Sequence, residues 1–232
     1  LYPFEGVVYD PEFSELINDF VTSGTPVVFI DRYLPEKDTC YVIPDYFQAA
    51  YSSVRHLVML GHRAILHMSI ARTGGTTGMI SLRGYRQALQ DFGIAFRQDL
   101  VKERPENMSH LEAGYQIIKE FLRSGSYLPF TAMYCAQESY AYGAYKALNE
   151  SGLSVPDDVA IISDDNVNPA GYDFSWTAAT YPWKKIGENA FELIKRQVNG
   201  GPPLDERSRH VILPAKLIIG ESCGTHFNAP GQ

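Results

Sequence analysis

Val159-Ala-Ile-Ile-Ser-Asp-Asp165 is one of five short apolar runs in this chain, each of which ends on a polar residue. The other four are Gly6-Val-Val-Tyr-Asp10, Pro26-Val-Val-Phe-Ile-Asp31, Ala64-Ile-Leu-His-Met-Ser69 and Thr131-Ala-Met-Tyr-Cys-Ala-Gln137. Such runs look like fully buried strands. Because helical stretches lie between most of them, they indicate an α/β fold with a parallel sheet covered on both faces. Ligands of such sheets bind outside the carboxyl ends of the strands, so the polar residues there are candidates for a binding site.

The stretches between the runs show the periodicity of amphipathic helices. These predicted helices cover residues 11–23, 45–60, 78–92, 109–122, 139–149 and 183–198. Ser109 and Glu112 form a capping-box pattern at the start of the fourth helix. A short strand is expected around residues 41–43, and an alternating strand is expected over residues 210–219.

Composition narrows the class of protein. With 232 residues, 45% of them hydrophobic and 20% charged, the chain is long enough for one large domain or two small ones. A net charge of −7 argues against binding of a phosphate backbone by this segment, which would need clustered Lys and Arg. No apolar run approaches the roughly 18 residues of a membrane helix. Cys40, Cys135 and Cys223 are odd in number and far apart, which favours buried thiols in a reducing compartment.

Motifs for catalysis or cofactor binding are mostly missing from the sequence. The glycine-rich stretch Thr73-Gly-Gly-Thr-Thr-Gly78 fits neither a dinucleotide-binding fingerprint nor a P-loop, and a mobile loop is its simpler interpretation. The six histidines do not cluster. We therefore expect no cofactor, no metal site and no enzymatic activity.

Several segments together resemble the ligand-binding core of the lactose-repressor (LacI/GalR) family of bacterial transcription regulators. They occur in family order over almost the whole chain, and none is specific alone. The segments are Gly24-Thr-Pro-Val-Val-Phe-Ile-Asp-Arg32, His56-Leu-Val-x-x-Gly-His-Arg63, Arg83-Gly-Tyr-Arg-Gln-Ala-Leu89, Thr131-Ala-Met with Gly143-Ala-x-x-Ala-Leu148, Asp157-Asp-Val-Ala-Ile-Ile, and Leu213-Pro-Ala-Lys-Leu.

The resemblance implies a periplasmic-binding-protein-like fold of type I, in which two doubly wound parallel-sheet subdomains are joined by three crossovers and hold the effector in the cleft between them. On that pattern, residues 1–61 and 182–205 form the N-terminal subdomain, and residues 62–181 and 206–224 form the C-terminal one. The family normally has two earlier strand–helix units and a helix-turn-helix DNA-binding head, which we expect this sequence to lack.

Two residues at strand ends are the first candidates for effector binding. Asp165 matches a family aspartate that hydrogen-bonds sugar hydroxyls, and a carboxylate can accept bonds from two neighbouring hydroxyls. An Asx turn is its alternative role, because Asp164, Asp165 and Asn166 all favour turns. Gln137 stands in place of a family asparagine and keeps an amide that can donate and accept.

Four further candidates follow from the resemblance. Asp45 matches a family ligand at a helix start, although Asp45-x-x-Gln48 is also an N-cap pattern. Asp10 is a weaker match in the same subdomain. Trp183 matches an aromatic position at the cleft, where a core position is the alternative. Ser81 stands where the family usually has an arginine that clamps the ligand, and this departure leaves the class of effector open.

The leading functional hypothesis is the effector-sensing domain of a cytoplasmic transcription regulator, which binds a small, hydroxyl-rich molecule such as a sugar. DNA would be contacted only through a head that is not in this sequence. A periplasmic sugar-binding protein of a transporter is the alternative, against which the segment Phe29-Ile-Asp-Arg32 and the three unpaired cysteines argue. An enzyme on a doubly wound scaffold is a third possibility, for which we find no motif.

A homodimer is the expected assembly. Tyr140, Tyr142 and Tyr145 lie on the predicted helix 139–149, and the segment Gly171-Tyr-Asp-Phe174 adds two aromatic residues. Tyrosines are enriched at interfaces, and in the resembling family the equivalent helix and loop pack across a two-fold axis. We expect an isologous contact through Tyr142 and residues 172–174, with packing inside the subdomain's own core as the alternative.

Overall fold

The structure is a computed structural model that describes residues 10–34, 39–70, 75–105, 107–124, 127–165, 175–200 and 205–224. Most of the predicted opening strand, residues 6–9, and the expected dimer loop, residues 172–174, lie outside this part of the chain. The helices in it are α1 (Pro11–Thr22), α2 (Tyr46–Met59), α3 (Gly75–Asp91), α4 (His110–Ser124), α5 (Glu138–Glu150), α6 (Trp183–Val198) and α7 (Glu206–Arg209). The strands are β1 (Val28–Ile30), β2 (Cys40–Pro44), β3 (Ile65–Ser69), β4 (Val101–Glu103), β5 (Ala132–Cys135), β6 (Ala160–Asp164), β7 (Thr177–Thr180), β8 (His210–Leu213) and β9 (Lys216–Ile218).

The described residues form a small sheet of three parallel strands in the order β1-β2-β8. Helix α6 covers one face, where Ile186 and Leu193 pack against Val28 and Val42. Ile17 of α1 packs with Phe29 on a separate core. The sheet is therefore covered on both faces, because alternate residues of the short apolar strand β1 enter different cores.

A large sheet of six strands has the order β4-β3-β5-β6-β7-β9. The first five strands in this order run parallel to one another, and the sixth, β9, is antiparallel to β7. Helices α4 and α5 contribute to the core on one face, whereas α2 and α3 contribute to the core on the other. Every residue of β3, β5 and β6 is buried, as the apolar runs predict for a sheet with helices on both sides. The predicted doubly wound α/β fold is confirmed.

Within the described residues the chain passes between the two sheets three times. It crosses after β2, after β7 and after β8, since α2 packs on the large sheet, α6 on the small sheet, and β9 joins the large sheet. The first and third crossings are tied together, because the amide of Asp45 donates to the carbonyl of Leu213 at 2.8 Å.

Helix α2 differs from the expected domain division. The division placed residues up to 61 in the N-terminal subdomain, but Val54 and Leu57 of α2 share a core with Ile65 and Leu82 of the large-sheet layer. The helix periodicity predicts an apolar face without saying which sheet it covers. In the structure the first crossing therefore precedes α2 instead of following it.

The final strand also differs from its prediction. Residues 210–219 were expected to form one strand of the C-terminal subdomain, but β8 pairs with β2 of the small sheet and β9 pairs with β7 of the large one. Pro214 follows β8, and proline has no N–H to continue a ladder. The break gives the chain its third crossing.

The predicted helices are confirmed to within a few residues. The capping box is present, because Ser109 N donates to Glu112 at 3.0 Å and Glu112 N donates to the Ser109 hydroxyl at 3.2 Å. Helix α3 begins at Gly75, three residues before the predicted start. The three cysteines are buried thiols with no disulfide between them, as their spacing predicts.

Candidate functional site

A cleft of about 400 Å³ lies at the carboxyl ends of strands from both sheets. Its walls come from segments that follow β1, β3, β5, β6 and β7 and from the beginnings of helices. The described residues that line it are Asp31, Arg32, Tyr46, Ile70, Thr77, His110, Ala136, Gln137, Glu138, Asp164, Asp165, Tyr181 and Trp183. The position agrees with the strand-end rule for parallel α/β sheets.

Asp31 and Arg32 form the wall contributed by the small sheet. Asp31 follows β1 in a left-handed backbone conformation, with φ of 72°, and is buried. Its carboxylate accepts a hydrogen bond from the hydroxyl of Tyr46 and pairs with Arg32 Nη1 at 3.1 Å. Burial, followed by the charge of Asp31, raises the pKa of Tyr46 well above its ordinary value. Tyr46 therefore stays a hydroxyl donor and joins α2 to the small sheet.

Asp164 lies at the end of β6 and is buried. The hydroxyl of Tyr134 donates to its Oδ2 at 2.8 Å, and the hydroxyl of Ser81 lies 3.1 Å from that of Tyr134. Burial raises the pKa of Asp164 to about 7, opposed by the neighbouring hydroxyls of Tyr181 and Tyr134. Its Oδ1 atom and the Tyr181 hydroxyl have no partner of hydrogen-bond geometry among the described residues. A buried carboxyl group thus lies beneath the cleft, with one oxygen that has no hydrogen-bond partner among the described residues.

Asp165 and Trp183 form the neighbouring part of the wall. Asp165 adopts a φ of 56°, and its amide donates to the carbonyl of Ala179 at 2.7 Å. Its Oδ2 accepts a hydrogen bond from the indole N–H of Trp183 at 2.7 Å. The Trp183 side chain remains 38% exposed, so this ring is available to the cleft and is not part of a core.

Gln137 and Glu138 follow β5. The side-chain oxygen of Gln137 accepts from the amide of Ser139 at 2.8 Å and so caps α5. Burial, together with the charge of Asp165, raises the pKa of Glu138. His110 lines the cleft at the start of α4, with its ring edge-on to Tyr140.

The structure brings three of the six sequence candidates into the cleft wall, namely Asp165, Gln137 and Trp183. The other three do not line it among the described residues. Asp45 caps α2 by accepting from the Gln48 amide at 2.9 Å, and Asp10 caps α1 by accepting from the Glu12 amide at 3.0 Å. Ser81 is buried and supports Tyr134 from below the cleft. In the structure these three side chains therefore have local roles, two as helix caps and one as a support for Tyr134.

Sequence reasoning did not single out Asp31, Asp164 or the tyrosines of the cleft. Asp31 and Asp164 carry the signal of a polar residue at a strand end; this signal makes Asp31 a candidate as the end of one of the five runs, although it is not among the six named site residues. Tyr46 and Tyr181 carry no such signal, because they enter the cleft from the crossing segments, whose course is a property of the whole fold.

The wall offers carboxylate and carbonyl acceptors, hydroxyl donors and aromatic faces, which suit a small polar ligand. No group of three or more histidine, cysteine, aspartate or glutamate side chains in the described ranges could hold a metal ion. The helices of these ranges include none with the length and apolar character needed to cross a bilayer.

Two doubly wound layers around such a cleft define an α/β ligand-binding protein. The sequence model of the periplasmic binding protein-like domain family matches residues 54–223, so the chain belongs to this family.

Among known proteins, this chain is similar to transcriptional repressors. The HTH-type transcriptional repressor PurR of Histophilus somni (strain 129Pt) is 28% identical over 204 residues, which cover 86% of this chain and 58% of that protein. The chain thus spans little more than half the length of this relative.

Two solved structures share the fold. A LacI-family regulatory protein of Chloroflexus aggregans has a TM-score of 0.80 at 24% identity and covers 97% of this chain and 75% of its own. A LacI-family transcriptional regulator of Enterococcus faecium with bound ribose has a TM-score of 0.75 at 23% identity, and the match covers 92% of this chain and 75% of that one.

Proposed function

We propose that this chain is the effector-sensing part of a transcription regulator and that a small hydroxyl-bearing molecule binds in the cleft between its two sheets. The observation that carries the proposal is the cleft itself, which is lined from both sheets at the point where the chain crosses between them. The repressor relative and the ribose-bound regulator of the same fold support it.

The mechanism is a change in the angle between the sheets. A ligand that contacts Asp31 on one side and Asp165 on the other gains more contacts when the cleft closes, so its binding shifts the population towards the closed form. The three crossings are the segments that would bend. Asp165 would accept bonds from hydroxyls, Gln137 would contribute an amide, and Trp183 would cover an apolar ring face.

The whole regulator would act as a homodimer in the cytoplasm and contact operator DNA through a separate head. The acidic net charge of −7 suits a sensing part that does not itself hold a phosphate backbone. Its role in this proposal is regulation without turnover of the bound molecule.

The test uses the full-length gene product and the DNA upstream of its own gene. Mobility-shift assays should show a complex whose stability changes on addition of a sugar that this chain binds by calorimetry. A sugar that binds the chain but leaves the DNA complex unchanged, or a gene product that binds no DNA, would contradict the regulatory function. Consumption of the bound molecule that depends on a cleft residue would replace it with an enzyme.

A further inference from the structure

Asp31 and Asp165 occupy matching positions in the two layers. Each follows a parallel strand, β1 in the small sheet and β6 in the large one, and each lines the cleft. Among the described residues they are the only non-glycine residues with a positive φ, 72° for Asp31 and 56° for Asp165. A left-handed backbone is uncommon outside glycine, and such residues concentrate at functional sites. The same local conformation therefore marks both sides of the cleft.

A backbone hydrogen bond fixes each aspartate to its own sheet. The amide of Asp31 donates to the carbonyl of Val42 in β2 at 3.1 Å, and the amide of Asp165 donates to the carbonyl of Ala179 in β7 at 2.7 Å. Each carboxylate is therefore carried by its sheet as part of one layer. A side chain from the other layer that holds such a carboxylate also holds the two layers together.

Both carboxylates accept hydrogen bonds from aromatic donors of the opposite layer. Asp31 accepts from the hydroxyl of Tyr46, the first residue of α2, whose apolar face packs on the large sheet. Asp165 accepts from the indole N–H of Trp183, the first residue of α6, which packs on the small sheet. The two bonds thus cross between the layers in opposite directions. Each donor comes shortly after a crossing of the chain, Tyr46 after the first and Trp183 after the second.

Tyr181 connects the two donors. It lies in the second crossing, and its ring is edge-on to that of Tyr46, with the centroids 5.2 Å apart. The same ring is edge-on to that of Trp183, with the centroids 5.6 Å apart. A displacement of one donor would disturb the packing of Tyr181 and, through it, of the other donor. The two bonds are therefore coupled by aromatic packing beside the cleft.

We propose that Tyr46 and Trp183 are positioning residues that bias the ligand-free cleft towards its closed arrangement, and that they thereby set the population that a ligand has to shift. A larger closed population before binding raises the apparent affinity, because a smaller part of the binding free energy is used to close the cleft. The inference rests on the proposed function, since it concerns the same cleft, and it adds the side chains that control its closure.

The two bonds differ in strength. Asp31 and Tyr46 are both buried, and a hydrogen bond to a carboxylate is stronger in such surroundings than in water. Trp183 is 38% exposed, so water competes for its bond to Asp165. Loss of the Tyr46 hydroxyl should therefore open the cleft more than loss of the Trp183 N–H.

The test measures the distance between the layers without any ligand. Spin labels are attached at Lys195→Cys on α6 and Glu120→Cys on α4, two exposed positions, while the three native cysteines are buried. Pulsed electron paramagnetic resonance should show a component at the distance that the structure gives. Tyr46→Phe combined with Trp183→Phe keeps the rings and removes both bonds. The ratio of this component to any other should fall about tenfold or more for each bond lost.

Tyr85→Phe is the matched control. Its hydroxyl is buried and donates to the carbonyl of Ile65 at 2.9 Å, and both residues belong to the large-sheet layer. The control loses a tyrosine hydrogen bond within one layer, so its distance distribution should equal that of the wild type. A double variant with the wild-type distribution, or a control that changes as much as the double variant, would overturn the proposal.

Fluorescence of Trp183 gives a second readout. In a Trp176→Phe background, Trp183 is the only tryptophan of the chain. Tyr46→Phe leaves the indole N–H of Trp183 in place, so a shift of its emission to longer wavelengths would show that release of Tyr46 also exposes Trp183. Unchanged emission would refute the coupling of the two bonds. If Tyr46→Phe does not fold, as circular dichroism would show, the spin-label measurement on Trp183→Phe alone decides.

Failure of this inference is separable from failure of the proposed function, because these measurements use neither a ligand nor DNA. If the double variant keeps the wild-type distances, the positioning role is refuted and the regulatory function stands. If the full-length gene product binds no DNA, the regulatory function is refuted and the control of cleft closure stands.

Discussion

The indole N–H of Trp183 donates a hydrogen bond to Oδ2 of Asp165 at 2.7 Å. Trp183 begins α6, which packs on the small sheet, and Asp165 follows β6 of the large sheet. The bond therefore joins the two layers beside the cleft, in addition to the three covalent crossings. A ligand that engages Asp165 acts on a residue that also sets the relation between the layers.

Asp165→Ala tests this part of the wall. Replacing the carboxylate should weaken binding of an identified effector by about 1.5–3 kcal/mol, since a charge-assisted bond is lost while the fold remains. Calorimetry measures the change, and circular dichroism checks the fold. Trp183→Phe is the matched variant, because it keeps an aromatic ring and removes the bond to Asp165. Unchanged affinity in Asp165→Ala would exclude Asp165 from the site.

Asp164→Asn tests how the buried carboxyl group makes the free energy of unfolding depend on pH. The folded-state pKa of about 7 lies above the ordinary aspartate value of about 3.9, so the folded protein binds this proton more tightly than the unfolded chain does. The stabilising contribution of the group is therefore fully present below about pH 4, is lost as pH rises towards 7, and changes little above that. An asparagine has no such dependence.

The free energy of unfolding of the variant, taken relative to that of the wild type, should accordingly rise from pH 5 to pH 8 by up to about 3 kcal/mol. Urea unfolding at both pH values measures it. Buried His67, whose pKa burial lowers to about 4, produces an opposite pH dependence, but it is present in both proteins and cancels in the comparison. A difference between variant and wild type that does not change with pH would show that Asp164 titrates normally.

Much of the fold could be predicted because its signals are local. The runs at β3, β5 and β6 are mostly apolar and are buried throughout, and helices such as α4 carry both a periodic face and a capping box. The sheet on which α2 packs could not be predicted, since an apolar helix face does not identify the sheet that it will cover. The sequence also does not show which of the neighbours Asp164 and Asp165 would be buried. Adjacent residues at a strand end point to different sides, and nothing local identifies the side that is covered. One lies buried beneath the cleft and the other bonds Trp183.

Gly143→Ala tests the close contact between α4 and α5. A Cβ on Gly143 would lie 2.0 Å from the carbonyl oxygen of Leu111 and 2.8 Å from the amide nitrogen of Tyr115. The helices would have to separate, which should destabilise the protein by about 1–3 kcal/mol or more. Gly187→Ala on α6 is the control, because a Cβ there meets nothing within 4 Å. It should be neutral or stabilising by up to about 1 kcal/mol. Equal melting temperatures of the two variants would contradict the contact.

The homodimer is the last prediction, and the structure narrows the residues that could form it. Tyr140 is fully buried and its hydroxyl donates to the carbonyl of Ser69 at 3.2 Å, so it fills the subdomain's own core. Tyr142 is only partly buried, with its ring edge-on to Trp176 at 5.3 Å. A remaining exposed surface on Tyr142 is compatible with the expected two-fold contact.

Light scattering at micromolar concentration should show a dimer for the wild type and a monomer for Tyr142→Asp, because a charge would be buried at the interface without a partner. Tyr127→Asp is the control, since Tyr127 is 81% exposed and lies away from α5 in the sequence. Thermal melting shows whether Tyr142→Asp remains folded despite the lost contact with Trp176, and Tyr142→Phe should stay dimeric. A monomeric wild type, or a folded Tyr142→Asp variant that remains a dimer, would remove α5 from the interface.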